Sequence, residues 1–255
     1  VFAADEECGV MAQNRSTAVM QRRAEPHDSL DDFPTPPWAT RALCEWLKAR
    51  GEDLEQFTCR EPAANRGHMV APLREYFASV EASDVHDYGA GFPVRDYLFG
   101  PQERVHYTIT NPPFRLAEQF IDAAAKSSEF GFAMLVRSAF LESVGRFQRL
   151  FSKNPPSHIL QFTERVVIHK GCLAPEGSTA TAYAWLVWLG DRDDCDTTFE
   201  WIAPCRKQLE RAGDYPSGDD CQDHTADAIG LIESGRAAQT PAGSRRSLVV
   251  ERKGL

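Results

Sequence analysis

No two cysteines in this 255-residue chain stand at C-x-x-C spacing, and their number, seven, is odd. Cys8, Cys44, Cys59, Cys172, Cys195, Cys205 and Cys221 therefore argue against a structural zinc site and against a disulfide framework. A reduced, cytoplasmic setting is the simpler expectation. No apolar run approaches the roughly 20 residues that cross a bilayer, so no membrane partner is expected. The opening "VFAADEECGVMAQNR" lacks the charged-then-apolar pattern of an export signal. Positive charge is scarce as well. Twenty-eight Lys and Arg face 37 Asp and Glu, for a net charge of -9, which is awkward for a phosphate-binding surface.

What is present suffices for one sizeable core, with 42% hydrophobic and 10% aromatic residues. Residues 1–29 show no periodicity and read as a mobile N-terminal arm. Residues 30–212 read as the folded domain, and 213–255, turn-rich and acidic, as a loosely ordered tail. Within the domain, helical and strand patterns alternate. After "DDFPT", a helix carries Ala39, Ala42, Leu43, Trp46 and Leu47 on one face, with Thr35 as its cap, Pro36 in its first turn and Gly51 at its end. "FTCREPAANRGHMVAPLREYF" reads as strand, turn and helix, and "SVEASD" as a short strand ending in Asp84. "VHYTIT" is a strand that stops at Asn111, and "FRLAEQFIDAAAK" a helix with Leu116, Ala117, Phe120, Ile121 and Ala124 on one side. "GFAMLVR" is apolar on both faces, as a central parallel strand should be. "SAFLESVGRFQRLF" reads as a helix, "SHILQFTE" as a strand and "TAYAWLVWL" as the last strong strand, with "FEWIAPC" a candidate for one more. The alternation implies an α/β fold with a doubly wound, mostly parallel sheet.

Three stretches carry chemistry. "EPAANRGHM" occupies the first strand-to-helix turn, where nucleotides meet backbone N–H groups. It falls short of G-x-G-x-x-G because Asn65 replaces a glycine, but Asn tolerates positive φ. Asp84, at the end of the next strand, suits the two hydroxyls of a ribose, with Asp87 as a rival; Asp96 suits an adenine amino group. The most specific stretch is Asn111-Pro112-Pro113-Phe114. A planar nitrogen is a poor nucleophile because its lone pair is drawn into the π system. Two rigid acceptors, the Asn111 side chain and the Pro112 carbonyl, can bind both amino hydrogens and stabilise the charge that develops on nitrogen. The prolines fix the corner, and Phe114 can stack on a flat substrate.

The series "DDFPTPPWATRAL", "EPAANRGHM", "ASDVHDYG", "TNPPF", "AMLVRSAFLE" and "STATAYAWLVW" resembles S-adenosylmethionine-dependent amino DNA methyltransferases, most closely the adenine-N6 enzymes of bacteriophages and mobile elements. The resemblance covers residues 31 to about 190. It implies a Rossmann-like class I methyltransferase fold: a seven-stranded, mostly parallel sheet flanked by helices, with the last strand antiparallel. It further implies that Thr35, Pro36, Glu61, Ala63, Gly67, Asp84 and Asp96 bind S-adenosylmethionine and that Asn111 to Phe114 grip a flipped or single-stranded adenine. The implied partner is DNA and the implied location the cytoplasm of a bacterium or infected host. Two departures are visible. A short loop, "VHDYGAGFPV", replaces the helix between the second strand and a short third one, "VRDYLF", which contains Asp96, and only 43 residues separate Gly67 from Asn111, too few for a target-recognition domain. Recognition then falls to the basic stretch 137–170, within a window (131–172) where six cations outnumber two acids, to a second copy of the chain or a separate subunit, or is hardly exercised at all. Arg146, Arg149, Lys153, Arg165 and Lys170 are the candidate DNA contacts. The residues alone leave open protein glutamine or an RNA base as substrate, and a catalytically silent DNA-binding subunit.

Overall fold

The computed structural model describes residues 31–173, 175–190 and 196–215; the arm at 1–29 and most of the 213–255 tail lie outside them. One sheet organises the described residues. Its strands are β1 (Thr58–Glu61), β2 (Ser79–Ala82), β3 (Val105–Thr110), β4 (Ser128–Arg137), β5 (His158–Phe162), β6 (Tyr183–Leu189) and β7 (Thr198–Ile202), in the order β2-β1-β3-β4-β6-β5-β7. β6 is antiparallel to both its neighbours, and all other pairings are parallel. The antiparallel strand is therefore the last strong one in the sequence but not the last in the chain. β7 follows it at the sheet edge, in the stretch "FEWIAPC". The expected strand around Asp96 shrinks to a single bridge between Asp84 and Val94.

The central strands read as apolar on both faces because both faces are covered. Trp38, Leu43 and Leu47 of helix α1 (Pro37–Ala49) pack with Tyr107, Ile109, Leu135, Trp185 and Val187 on one side. On the other, Phe120, Ile121 and Ala124 of α3 (Ala117–Ser127) meet Phe132, Met134, Val136, Leu186 and Trp188. Successive residues of β4 and β6 thus serve opposite layers, as the two-residue repeat of a strand requires. Gly131 of β4 lies close against the β6 backbone; a Cβ there would sit 2.6 Å from the Trp188 carbonyl oxygen.

Two helices depart from expectation. The stretch after Gly67 is helical only over α2 (Val70–Leu73), then tightens into turns that bond three residues back, Glu75 to Pro72 and Tyr76 to Leu73. Residues 138–151 are not one helix but a 3₁₀ turn (Ser138–Leu141), a short α4 (Val144–Arg146) and a π turn (Phe147–Phe151). Ser143 explains the break: its hydroxyl accepts the Arg146 N–H and restarts the helix there. Thr35 likewise is not a helix cap. Pro36 holds the cap position without a side-chain bond, and Pro37 opens the helix.

α1 is anchored by Arg41, which is only 3% exposed. Its guanidinium donates from Nε and Nη2 to Glu75, from Nη1 and Nη2 to Asp214, and from Nη1 to the Leu209 carbonyl, so all five N–H groups are used. Burial opposes the charge, but the two carboxylates outweigh it and hold Arg41 protonated. Residues 209–214, after α5 (Arg206–Leu209), are thereby fixed to the helix that leads out of the site. Removing one side of such a cluster strands the other. Arg41→Ala is expected to cost about 3–5 kcal/mol in urea unfolding. Arg41→Lys should recover only part of this, since one ammonium cannot serve two forks. An unchanged midpoint for Arg41→Ala would show the anchor to be dispensable.

Candidate active site

The chain leaves β1 toward β2 on one side and β3 toward β4 on the other, so the order of strands reverses between β1 and β3. Open α/β sheets bind ligands at that point, beyond the carboxyl ends of the strands. A cavity of about 590 Å³ lies there, within the range of small-molecule sites. Thr35, Ala63, Asp84, Asp96, Asn111 and Pro113, six of the expected residues, line it.

The first wall is the loop after β1. Asn65 has φ +49° and Gly67 φ +90°, so Asn does adopt the left-handed conformation that the missing glycine would have supplied. A Cβ on Gly67 would also press on the Phe92 ring at 3.0 Å. Gly67 and Glu61 do not line the cavity; they build its wall. Glu61 is fully buried and accepts the Ala63 N–H at 2.9 Å and the Thr110 hydroxyl at 2.6 Å through Oε1, while its Oε2 has no partner. Burial pushes its carboxyl up to about 8, with the two hydrogen bonds opposing the shift. His68, on the same loop, lines the cavity, and burial lowers its pKa.

The second wall is Asp84. Its Oδ2 accepts the Asn65 N–H and its Oδ1 the His86 N–H, so the carboxylate is held by two backbone donors and retains acceptor capacity. Asp84 is 9% exposed. Asp96 is brought to the same cavity by the bridge at Val94, and its Oδ1 accepts the Leu98 N–H in a tight local turn.

The third wall is the corner after β3. The Asn111 Nδ2 donates to the Phe33 carbonyl at 3.1 Å and to the Thr35 hydroxyl at 3.0 Å. Because the Phe33 carbonyl can only accept, the amide nitrogen must face it, which fixes the orientation of the side chain. Oδ1 is left buried and without a hydrogen-bond donor among the described residues. Pro112 is buried and outside the lining. Phe114 also stands outside it, its N–H donating to Asp31 Oδ2 and its ring packed on Phe33, centroids 4.9 Å apart. The Arg137 guanidinium lies over the Phe114 ring, 3.9 Å from its centre.

Residues 31–36 form a strap across these walls. Asp32 accepts from Asn65 and Arg66, its carbonyl accepts the Gly171 N–H, and Phe33 and Thr35 hold Asn111. Sequence reasoning took Thr35 and Pro36 from this stretch. Pro36 does not line the cavity, while Asp31, Phe33 and Pro34 do. The Phe33 contribution was invisible because it is a backbone carbonyl, which any residue supplies.

The candidate DNA contacts differ among themselves in exposure and pairing. Arg146 is turned inward, donating to the Phe140 carbonyl, lying 3.9 Å over the Phe140 ring and pairing with Glu118. Arg149 is exposed but bonds Glu118 through Nε and Nη2. Lys153 is exposed, and Arg165 donates to the Ala180 carbonyl in the loop after β5, which also carries Lys170. Cys172 is disulfide-bonded, against the expectation of a reduced setting, whereas Cys44, Cys59 and Cys205 are free. No helix among the described residues is long and apolar enough to cross a membrane.

No protein-family profile and no curated protein sequence matches the chain. Solved structures do. A candidate class I S-adenosylmethionine-dependent methyltransferase from Listeria monocytogenes aligns with a TM-score of 0.53 at 12% identity, covering 81% of this chain and 73% of that one. The methyltransferase subunit of a type I restriction-modification system from Streptococcus thermophilus aligns with a TM-score of 0.53 at 11% identity, over 81% of this chain and 54% of that one. The chain thus spans about half the length of that subunit. These similarities establish the fold: it is the Rossmann-like class I methyltransferase fold, with a mostly parallel seven-stranded sheet and one antiparallel strand.

Glu61 gives this wall a pH signature. Its folded pKa, about 8, exceeds the ordinary 4.5, so between those values the folded state holds a proton that the unfolded state has lost. Stability falls as pH rises through that window, by up to about 1.4 kcal/mol per pH unit, and levels off above it. Glu61→Gln cannot ionise. Thermal unfolding of the ligand-free protein from pH 5 to 8 should show a decline in the wild type that this variant lacks; parallel curves would place the Glu61 pKa outside the window.

Proposed function

We propose that this chain is an S-adenosylmethionine-dependent methyltransferase that acts on the exocyclic N6 amine of adenine in DNA, flipped from its duplex or single-stranded. The observation that carries this reading is the Asn111 amide. Both its hydrogens are spent on Phe33 and Thr35, and its oxygen is buried beside the cavity with no donor among the described residues. Leaving a buried acceptor unmade costs about 1–3 kcal/mol, and a substrate N–H would recover it.

The cavity fits the methyl donor on this chain's own residues. The Asn65 and Gly67 turn brings backbone close to a ligand, and Asp84 offers carboxylate oxygens fixed by backbone donors. Thr35 and Ala63 would lie along the methionine portion, Asp84 at the ribose and Asp96 at the adenine, all of them lining the cavity. When bound, S-adenosylmethionine supplies an electrophilic methyl group on a sulfonium. The residues act on the amine. Asn111 Oδ1 accepts one amino hydrogen and the Pro112 carbonyl the other. As the nitrogen pyramidalises and gains positive charge, both acceptors bind it more strongly than they bind the flat ground state. The strap's hold on Asn111 means that this acceptor need not reorganise.

Adenine in DNA is favoured over other planar amines by the motif series that surrounds the corner and by Asn, rather than Ser, at position 111. The test is transfer of tritium from labelled cofactor, offered separately to DNA, RNA and total protein. Label in DNA, recovered as N6-methyladenine, is the expected result; label in RNA or in protein glutamine instead would reassign the substrate, and none at all would leave a silent binding subunit. Asn111→Ala is expected to lower turnover by about two orders of magnitude or more while cofactor affinity, measured by calorimetry, stays near the wild-type value. Full turnover in that variant would remove Asn111 from the mechanism.

A further inference from the structure

Arg137 closes β4 at the sheet end that carries the cavity, and its surroundings are unusual for a cation. The residue is half-buried, its Nε is buried without a hydrogen-bond partner, and no carboxylate among the described residues pairs with it. It lies over aromatic rings instead, 3.9 Å from the centre of Phe114 and 5.8 Å from that of Phe33. Cation–π contact accounts for part of its stability there, but the buried Nε–H is left without an acceptor.

The position matters as much as the charge. Phe114 follows the Asn111 corner and is the ring on which a flat substrate held by Asn111 would stack. At 3.9 Å the guanidinium is in van der Waals contact with that ring, and nothing planar can enter between them. Phe33 already packs against the same ring at 4.9 Å. A base that stacks on the face of Phe114 that Arg137 covers must therefore displace it.

We propose that Arg137 is a placeholder exchanged for the target nucleotide: its guanidinium covers Phe114 in the empty site, yields that ring to the incoming base, and moves to the phosphate of the same nucleotide. The inference rests on the proposed function and deepens it. One nucleotide brings both things the exchange requires, a planar ring to replace the guanidinium and an anion to receive it. A glutamine side chain brings neither. Arg137 is thus a positioning residue that makes entry selective for a nucleotide, while Asn111 acts on the amine.

The exchange predicts one phosphate contact that depends on charge at position 137. Binding of a fluorescently labelled, adenine-containing single-stranded oligonucleotide would be followed by anisotropy across a series of salt concentrations, for the wild type, Arg137→Ala and Arg137→Lys. Arg137→Ala should bind more weakly, and its slope of log K against log salt should be shallower by about 0.7, the value for one phosphate contact on a single strand. Arg137→Lys keeps the charge and should restore the slope, a rescue that a merely structural role would not give; it also covers the case in which Arg137→Ala does not fold. An Arg137→Ala slope equal to that of the wild type, or a slope lost equally in Arg137→Lys, would overturn the exchange while leaving the proposed function standing. A wild-type chain that holds no oligonucleotide and labels no DNA would overturn both.

Discussion

Two hydrogen bonds donated by one amide side chain set the chemistry of this site. Asn111 has two N–H groups and one carbonyl, and the strap residues Phe33 and Thr35 take both N–H groups. What remains is an oxygen, buried and unpartnered, at the carboxyl end of a central strand. If the strap moved, the amide could rotate and present donors instead, and the site would select against the amine it is proposed to bind. The strap in turn is tied to the β1 loop through Asp32 and runs directly into α1. The buried Arg41 cluster therefore belongs to the same chain of constraint, though it is remote in sequence from Asn111.

That arrangement explains why the cavity lies where it does. β1 and β3 are neighbours whose connections diverge, so their carboxyl ends open a crevice that no crossover covers. The loops after β1 and β3 supply its sides, and the Asp84–Val94 bridge brings Asp96 across from the β2 edge. A full third strand is not needed for this. One bridge, with the Arg95 N–H bonded to the Asp84 carbonyl, orients the segment that carries Asp96.

Much of this was legible in the sequence, and the parts that were not have identifiable causes. The two-faced apolar strands β4 and β6, the helices α1 and α3, and the Asn65 turn each follow from a local pattern whose physical meaning is unambiguous. The single helix expected at 138–151 failed because Ser143 competes for a backbone donor, and side-chain capping within a periodic stretch leaves the apolar period intact. Thr35 looked like a helix cap and is instead an acceptor for Asn111, 76 positions away, a contact no local pattern encodes. Phe114 was expected to stack on a flat substrate. That Arg137 lies on it depends on the pairing of β3 with β4, which sequence period alone does not register.

The charge pattern bears on how such a site would handle a polyanion. Arg41, Arg60, Arg66, Arg149 and Arg206 are all paired with carboxylates of this chain, and Arg146 with a carboxylate and a carbonyl. Cations spent in this way release few counterions when nucleic acid binds, because each contact with phosphate must first break an internal pair. A net charge of -9 adds long-range repulsion. On the proposed reading, affinity then has to come from the cavity itself, from one base gripped between rigid acceptors and an aromatic ring, and not from a broad track along the backbone. On the same reading, a substrate whose base is already unstacked would be favoured, because little backbone binding energy is left to spend on extruding one.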